Sequence, residues 1–206
     1  MKVAVVNYGI NNIGSVQRAL NDLGAEVVVA AEPSMLAGAN RIVLPGVGAF
    51  GEAMARLRAD GWVDALRMHV MEGRPLLGIC LGMQLLGSSS EENGLHEGLA
   101  LIPGRVRRLD ALGCSLRIPH VGWNEVRYDE GARLFAGIPQ STDFYFVHSY
   151  AFDPEESDTI VGTTSYDRDV VAAVRKGLVF GTQFHPEKSS KAGRQLLRNF
   201  LDVPAC

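Results

Sequence analysis

The chain has 206 residues, room for one domain that can bury a core without disulfide or metal staples. Apolar residues make up 47% and charged residues 21%, and the formal net charge is −3. That balance argues against nucleic acid or an anionic membrane as a partner. No run reaches the roughly 20 apolar residues of a membrane span, and the N-terminus carries no signal-peptide pattern. The expectation is a soluble cytoplasmic protein, a single domain over residues 1–206.

In chain order, valine-rich Lys2–Asn7 and Ala25–Ala30 read as buried strands. Between them Ile13, Val16, Ala19, Leu20 and Leu23 share a helical face, with Gly24 as the stop. Arg41–Leu44 is a third strand, Glu52–Ala59 and Val63–Glu72 are helical, and Pro75–Ile79 is a fourth strand. Such alternation predicts a three-layer α/β fold around a mostly parallel sheet. The second half reads as shorter strands at Val106–Leu109, Asn124–Arg127, Asp143–Tyr150, Thr159–Ser165 and Val170–Arg175, some of them antiparallel. Leu178–Phe184 is the last strand, and Ser189 or Ser190 caps a final helix reaching about Leu201.

Three loops at strand carboxyl ends, where open α/β sheets carry their crevice, have unusual compositions. Gly78-Ile79-Cys80-Leu81-Gly82 has the spacing of a nucleophile elbow with cysteine in place of serine. A sharp strand-to-helix turn exposes such a side chain, and the helix start lowers a thiol pKa. The alternative is a buried structural cysteine. His185-Pro186-Glu187 offers a base and an orienting carboxylate, two residues apart and on one side of an extended backbone; alone, it would also suit a surface turn. His69, His96, His120 and His148 lack a carboxylate two residues away and read as surface or core hydrogen-bonding residues. Pro45-Gly46-Val47-Gly48 lets backbone approach a ligand, so Val47 and Gly48 join the Leu81 N–H as oxyanion donors. The glycines also permit the Val47 peptide to turn over, a resting state that would leave half the oxyanion hole missing. Cys80, Cys114 and Cys206 are too scattered for a disulfide framework or a zinc site. No metal or cofactor is expected.

At these residues the sequence resembles the class I glutamine amidotransferases, which use a Cys-His-Glu triad. More narrowly, it is similar to the glutaminase subunits of imidazole glycerol phosphate synthases. The blocks that carry the resemblance are 45–50, 78–86, 120–124, 145–150 and 181–189, spread over the whole chain. Met83 stands where anthranilate synthase relatives usually have histidine, and Asn7 departs from the more frequent aspartate. The resemblance implies a flavodoxin-like fold and hydrolysis of glutamine through a thioester on Cys80. His185 would be the base and Glu187 its orienter. Gln84 and the backbone near Ser149 and Tyr150 would grip the α-amino and α-carboxylate groups of glutamine. It further implies a heterodimer with a (β/α)₈-barrel cyclase that takes the ammonia, in histidine biosynthesis, with Trp123 and Lys188 near the mouth of the site. By residue type alone, those two would be a buried tryptophan and a solvated lysine. Two other readings stand beside this one: an amidotransferase or γ-glutamyl hydrolase serving another pathway, and a non-catalytic α/β binding subunit.

Overall fold

The computed structural model describes residues 1–10 and 12–204. Cys206 lies outside them.

The first half is a repeated strand–helix unit. β1 (Lys2–Val6), β2 (Glu26–Ala30), β3 (Arg41–Gly46) and β4 (Leu76–Cys80) alternate with α1 (Ile13–Asn21), α2 (Phe50–Ala59) and α3 (Trp62–Met71). α4 (Leu81–Leu85) follows β4 without a linking residue. The second half runs through β5 (Ser89–Ser90), β6 (His96–Glu97), β7 (Gly104–Arg108), β8 (His120–Tyr128), β9 (Thr142–His148) and β10 (Tyr150–Pro154). It ends in β11 (Ile160–Tyr166), β12 (Arg168–Lys176), β13 (Val179–Thr182) and α5 (Ser190–Leu201).

A nine-stranded sheet has the order β2-β1-β3-β4-β13-β12-β11-β8-β9. Pairing is parallel from β2 across to β13 and antiparallel from there to β9. This is the mixed α/β sheet expected from the sequence. A second, four-stranded sheet, β10-β7-β5-β6, flanks the site. Because successive strand residues face opposite sides, β1 sends Ala4 and Val6 to one core and Val3 and Val5 to another. The first core is closed by Met54, Leu57, Trp62 and Leu66 of α2 and α3. The second is closed by Val16 and Leu20 of α1 and by Leu196, Leu197 and Phe200 of α5. Each such fully buried side chain contributes about 1.5–3 kcal/mol. The expected three layers follow from this alternation.

Some local expectations are corrected. The run expected over Asp143–Tyr150 is two strands, β9 and β10, which break at Ser149 and enter different sheets. Ser189 sits at the N-cap position of α5 without capping it. Its hydroxyl instead donates to the His185 carbonyl at 2.6 Å and accepts the Tyr145 N–H at 3.0 Å. The two-residue strands β5 and β6 are too short to leave a hydropathy period.

The parallel strands follow the flavodoxin-like order, which reverses between β1 and β3. That crevice is plugged by Tyr8, buried just after β1, whose hydroxyl lies 2.6 Å from where a Cβ on Gly46 would stand. The open crevice is displaced to the ends of β3, β4 and β13.

Candidate active site

β3, β4 and β13 end level: Gly46 pairs with Cys80, and Ile79 with Thr182. At Cys80 the backbone takes φ 55° and ψ −112° and turns at once into α4. A positive φ is strained for any side chain with a Cβ and persists only where its surroundings enforce it. Here two glycines do so. A Cβ on Gly82 would lie 1.8 Å from the Leu44 carbonyl oxygen, and one on Gly78 would lie 2.5 Å from that of Gly82. The elbow packs backbone on backbone, which only glycine permits.

Beyond β13 the chain sets His185, whose N–H donates to the Tyr145 carbonyl at 2.9 Å. His185 Nδ1 lies 2.8 Å from Glu187 Oε1, with both side chains almost fully buried. The contact arises differently from the sequence expectation. Residues Pro186–Lys188 form a 3₁₀ turn, not an extended segment, and proline at its start presets the bend. The Nδ1–H donates to the carboxylate, which leaves Nε2 as the ring nitrogen not engaged by Glu187, with the Cys80 thiol at the same cleft. Burial alone would lower the imidazole pKa. The hydrogen bonds and charges of Cys80 and Glu187 outweigh it and raise the value to about 9. Glu187 Oε2 is buried and has no hydrogen-bond partner among the described residues, so there the carboxylate bonds through Oε1 to His185.

Cys80 and His185 open onto a cleft of about 400 Å³, which Val47, Gly48, Leu81, Gln84, Ser149 and Tyr150 also line. Every residue expected to hold the oxyanion or the substrate is therefore at the cleft, and Glu187 stands behind His185. Gln84 donates both its amide N–H groups inward, to the Tyr150 carbonyl and to Gln183 Oε1, each at 2.9 Å. Its Oε1 is left to accept, which suits an α-ammonium group and not a carboxylate.

Three further residues escaped the sequence reading. Glu92 lines the cleft and accepts the Phe50 N–H at 2.7 Å, at the start of α2. Nothing in its local sequence marks it, because the link to Phe50 is purely tertiary. Gln183 donates to Cys80 Sγ at 3.8 Å; its place two residues before the base was the available signal. His148, expected among the hydrogen-bonding histidines, is such a residue and also lines the cleft. Trp123 and Lys188 do not line it. Trp123, 53% exposed, stands edge-on to Tyr145 at 6.1 Å, and Lys188 Nζ lies 5.7 Å from the centre of the same ring. Tyr145 in turn lies 6.4 Å from the His185 ring. Trp123 is thus no core residue. Val121 and Val147, cross-strand partners, extend the exposed apolar surface beside the cleft. Among the described residues no cluster of His, Cys, Asp or Glu could hold a metal ion, and no helix is long and apolar enough to cross a membrane.

A thiol on a strained elbow beside an imidazole paired with a buried carboxylate suits acyl transfer. Residues 4–203 match the family model for class I glutamine amidotransferases. The chain is 50% identical over 201 residues to the imidazole glycerol phosphate synthase subunit HisH of Moorella thermoacetica, covering 98% of this chain and 94% of that one. It is 48% identical to the subunit of that name from Chlorobium luteolum, over 97% and 99% of the two chains. A solved glutamine amidotransferase superposes with a TM-score of 0.77 at 23% identity, covering 97% of both chains. PurLQS from Thermotoga maritima does so with a TM-score of 0.77 at 18% identity, over 98% of this chain and 97% of that one. The chain belongs to the class I glutamine amidotransferase family, together with the HisH subunits of imidazole glycerol phosphate synthase.

Proposed function

We propose that this chain is the glutaminase subunit of imidazole glycerol phosphate synthase, with Cys80, His185 and Glu187 as its catalytic triad. The observation that carries the reading is the buried 2.8 Å contact of His185 with Glu187, set against a thiol on a strained elbow. Glutamine enters with its side-chain amide at Cys80. His185, cationic at neutral pH, already holds the proton drawn from Cys80; the thiolate Sγ attacks the amide carbon, and Glu187 stabilises the imidazolium. The tetrahedral oxyanion is held by the Leu81 N–H and by backbone at Val47 and Gly48. His185 then protonates the departing nitrogen, and ammonia leaves a γ-glutamyl thioester. A water molecule, deprotonated by the same imidazole, attacks the thioester and releases glutamate and the thiol. At the far end of the substrate, Gln84 Oε1 and the Glu92 carboxylate suit the α-ammonium group. The backbone of Ser149 and Tyr150 suits the α-carboxylate.

Ammonia released into water at neutral pH is protonated and no longer nucleophilic. The reading therefore includes a second chain, a barrel cyclase docked over the exposed face of Trp123, Val121 and Val147. That cyclase uses the ammonia to form imidazole glycerol phosphate and an aminoimidazole carboxamide ribotide. A cytoplasmic location belongs to the same reading, since a reducing compartment keeps a free thiol such as Cys80 from oxidation.

The test is to mix the chain with candidate cyclases and assay glutamine hydrolysis for chain alone, complex, and complex with cyclase ligand. The expected result is little activity alone and a rise, mainly in kcat, when the cyclase ligand binds. Restoring one missing oxyanion donor is worth about 10²–10³ in turnover. Full activity of the chain alone, indifferent to every cyclase, would move the assignment to a free-standing γ-glutamyl hydrolase.

A further inference from the structure

The triad leaves unexplained why the chain buries two further histidines beside the cleft. His120 on β8 and His148 on β9 face each other across the hairpin, 3% and 6% exposed. Their hydrogen bonds permit one direction only. The Tyr150 carbonyl can only accept, so the 2.8 Å contact with His148 Nδ1 requires a proton on that nitrogen. Burial first, then the nearby His120 and His185, hold His148 neutral, with a pKa of about 3 despite the bond to Tyr150. His148 Nε2 is then a lone pair, and His120 Nδ1, 3.0 Å away, must donate to it. Burial keeps His120 neutral as well, so its Nε2 accepts from Asn124 Nδ2 at 3.3 Å. The Asn124 amide cannot flip. Its Oδ1 accepts the Glu125 N–H at 2.9 Å, and Nδ2 also donates to the Ser165 carbonyl at 2.8 Å.

We propose that His120 is a positioning residue for the glutamine pocket, acting through His148 to hold the Tyr150 peptide in place. The Tyr150 carbonyl is the meeting point of two chains of donors. His148 reaches it from the hairpin and Gln84 from α4, and Gln84 continues through Gln183 to Cys80 Sγ. Its two lone pairs are both used, so the peptide has no slack. In a strand, N–H and C=O of one residue point the same way, so fixing this carbonyl also aims the Tyr150 N–H. Loss of the His120 donor leaves His148 Nε2 as a buried acceptor without a partner, and the peptide relaxes.

The inference rests on the glutaminase reading, and its test uses the chain in complex with its cyclase. His120→Phe keeps the stacking on Phe146 and Tyr166, at 4.8 and 4.0 Å between ring centres, and removes both nitrogens. The expected result is a KM for glutamine raised about tenfold, the effect of one unsatisfied buried partner, with kcat nearly unchanged. His120→Asn, with an N–H near the position of Nδ1, should recover most of that loss. In the wild-type chain, ¹⁵N spectra should show His148 neutral and protonated at Nδ1. A folded His120→Phe chain with an unchanged KM overturns the inference, as does a loss confined to kcat. Should His120→Phe fail to fold, a cationic or Nε2-protonated His148 in the wild type overturns it equally. A wild-type complex that hydrolyses no glutamine removes the underlying reading, whereas an active complex with an indifferent His120→Phe removes the relay alone.

Discussion

The end of β13 and the β8–β9 hairpin each deliver a histidine to one cleft, and the two imidazoles end in opposite states. His185 meets a buried carboxylate and a thiol, and its pKa rises to about 9. His148 meets a carbonyl and a second imidazole, and burial drives its pKa to about 3. Both are nearly inaccessible to water, at 3% and 6% exposure. Burial by itself therefore settles neither the charge nor the role. The partner decides: an anion holds a buried histidine in its charged form, and neutral partners, one accepting and one donating, keep it neutral with a fixed proton.

The comparison breaks most sharply at the triad. Cys80→Ala or His185→Asn should lower glutamine turnover by about 10⁴-fold or more while the fold is kept. Glu187→Gln should cost one to two orders of magnitude less, roughly the gap seen between base and orienter elsewhere, because the amide still holds the ring. Steady-state assays on the complex read all three, and small, equal effects would mean that the triad is misassigned. A glutamine-like electrophile should label Cys80 and spare Cys114, which is buried and whose thiol pKa burial pushes up.

A second test uses pH. His69 and His120, held by burial to about 4, and His148, held to about 3, are neutral in the native chain at pH 5. In the unfolded chain each returns to its ordinary value near 6.5 and binds a proton. Their contribution to stability is complete above pH 6.5 and is lost as pH falls below it. Unfolding near pH 5 should therefore take up about three protons, measured from the pH dependence of the denaturation midpoint. His185 has the opposite sign, since its native pKa is raised. Its contribution is complete below pH 6.5 and is lost as pH climbs through about 9. Equal stability at pH 5 and pH 7 would contradict the neutral, buried state of the hairpin histidines.

The smallest expected effect lies on the outer face of the same hairpin. Trp123→Ala should weaken cyclase association by about 2 kcal/mol and leave the thermal midpoint of the free chain nearly unmoved, since the ring is half exposed. Titration calorimetry with the cyclase and a melt of the free chain separate the two. A large fall in the midpoint would show that the indole supports the fold and not the partner.

Local sequence carried most of the first half of the fold and pointed to the three residues proposed as the triad. Short apolar runs describe β1, β3 and β4 because burial on both faces demands apolar residues throughout; β2, read as a buried strand from its valines, is instead the sheet edge and fully buries only Ala30. Cys80 was legible through Gly78 and Gly82, whose Cβ positions the backbone itself occupies. Glu187 was legible because it stands two residues from His185, whose Nδ1 it meets at 2.8 Å. Long-range contacts decided the rest. The break at Ser149 sends one apparent strand into two sheets, which no hydropathy period records. Glu92 enters the cleft through a bond to Phe50, 42 residues distant in sequence. The opposed charge states of His148 and His185 are likewise tertiary, because an imidazole pKa depends on which groups the fold packs against it, and neighbours in sequence are only some of those.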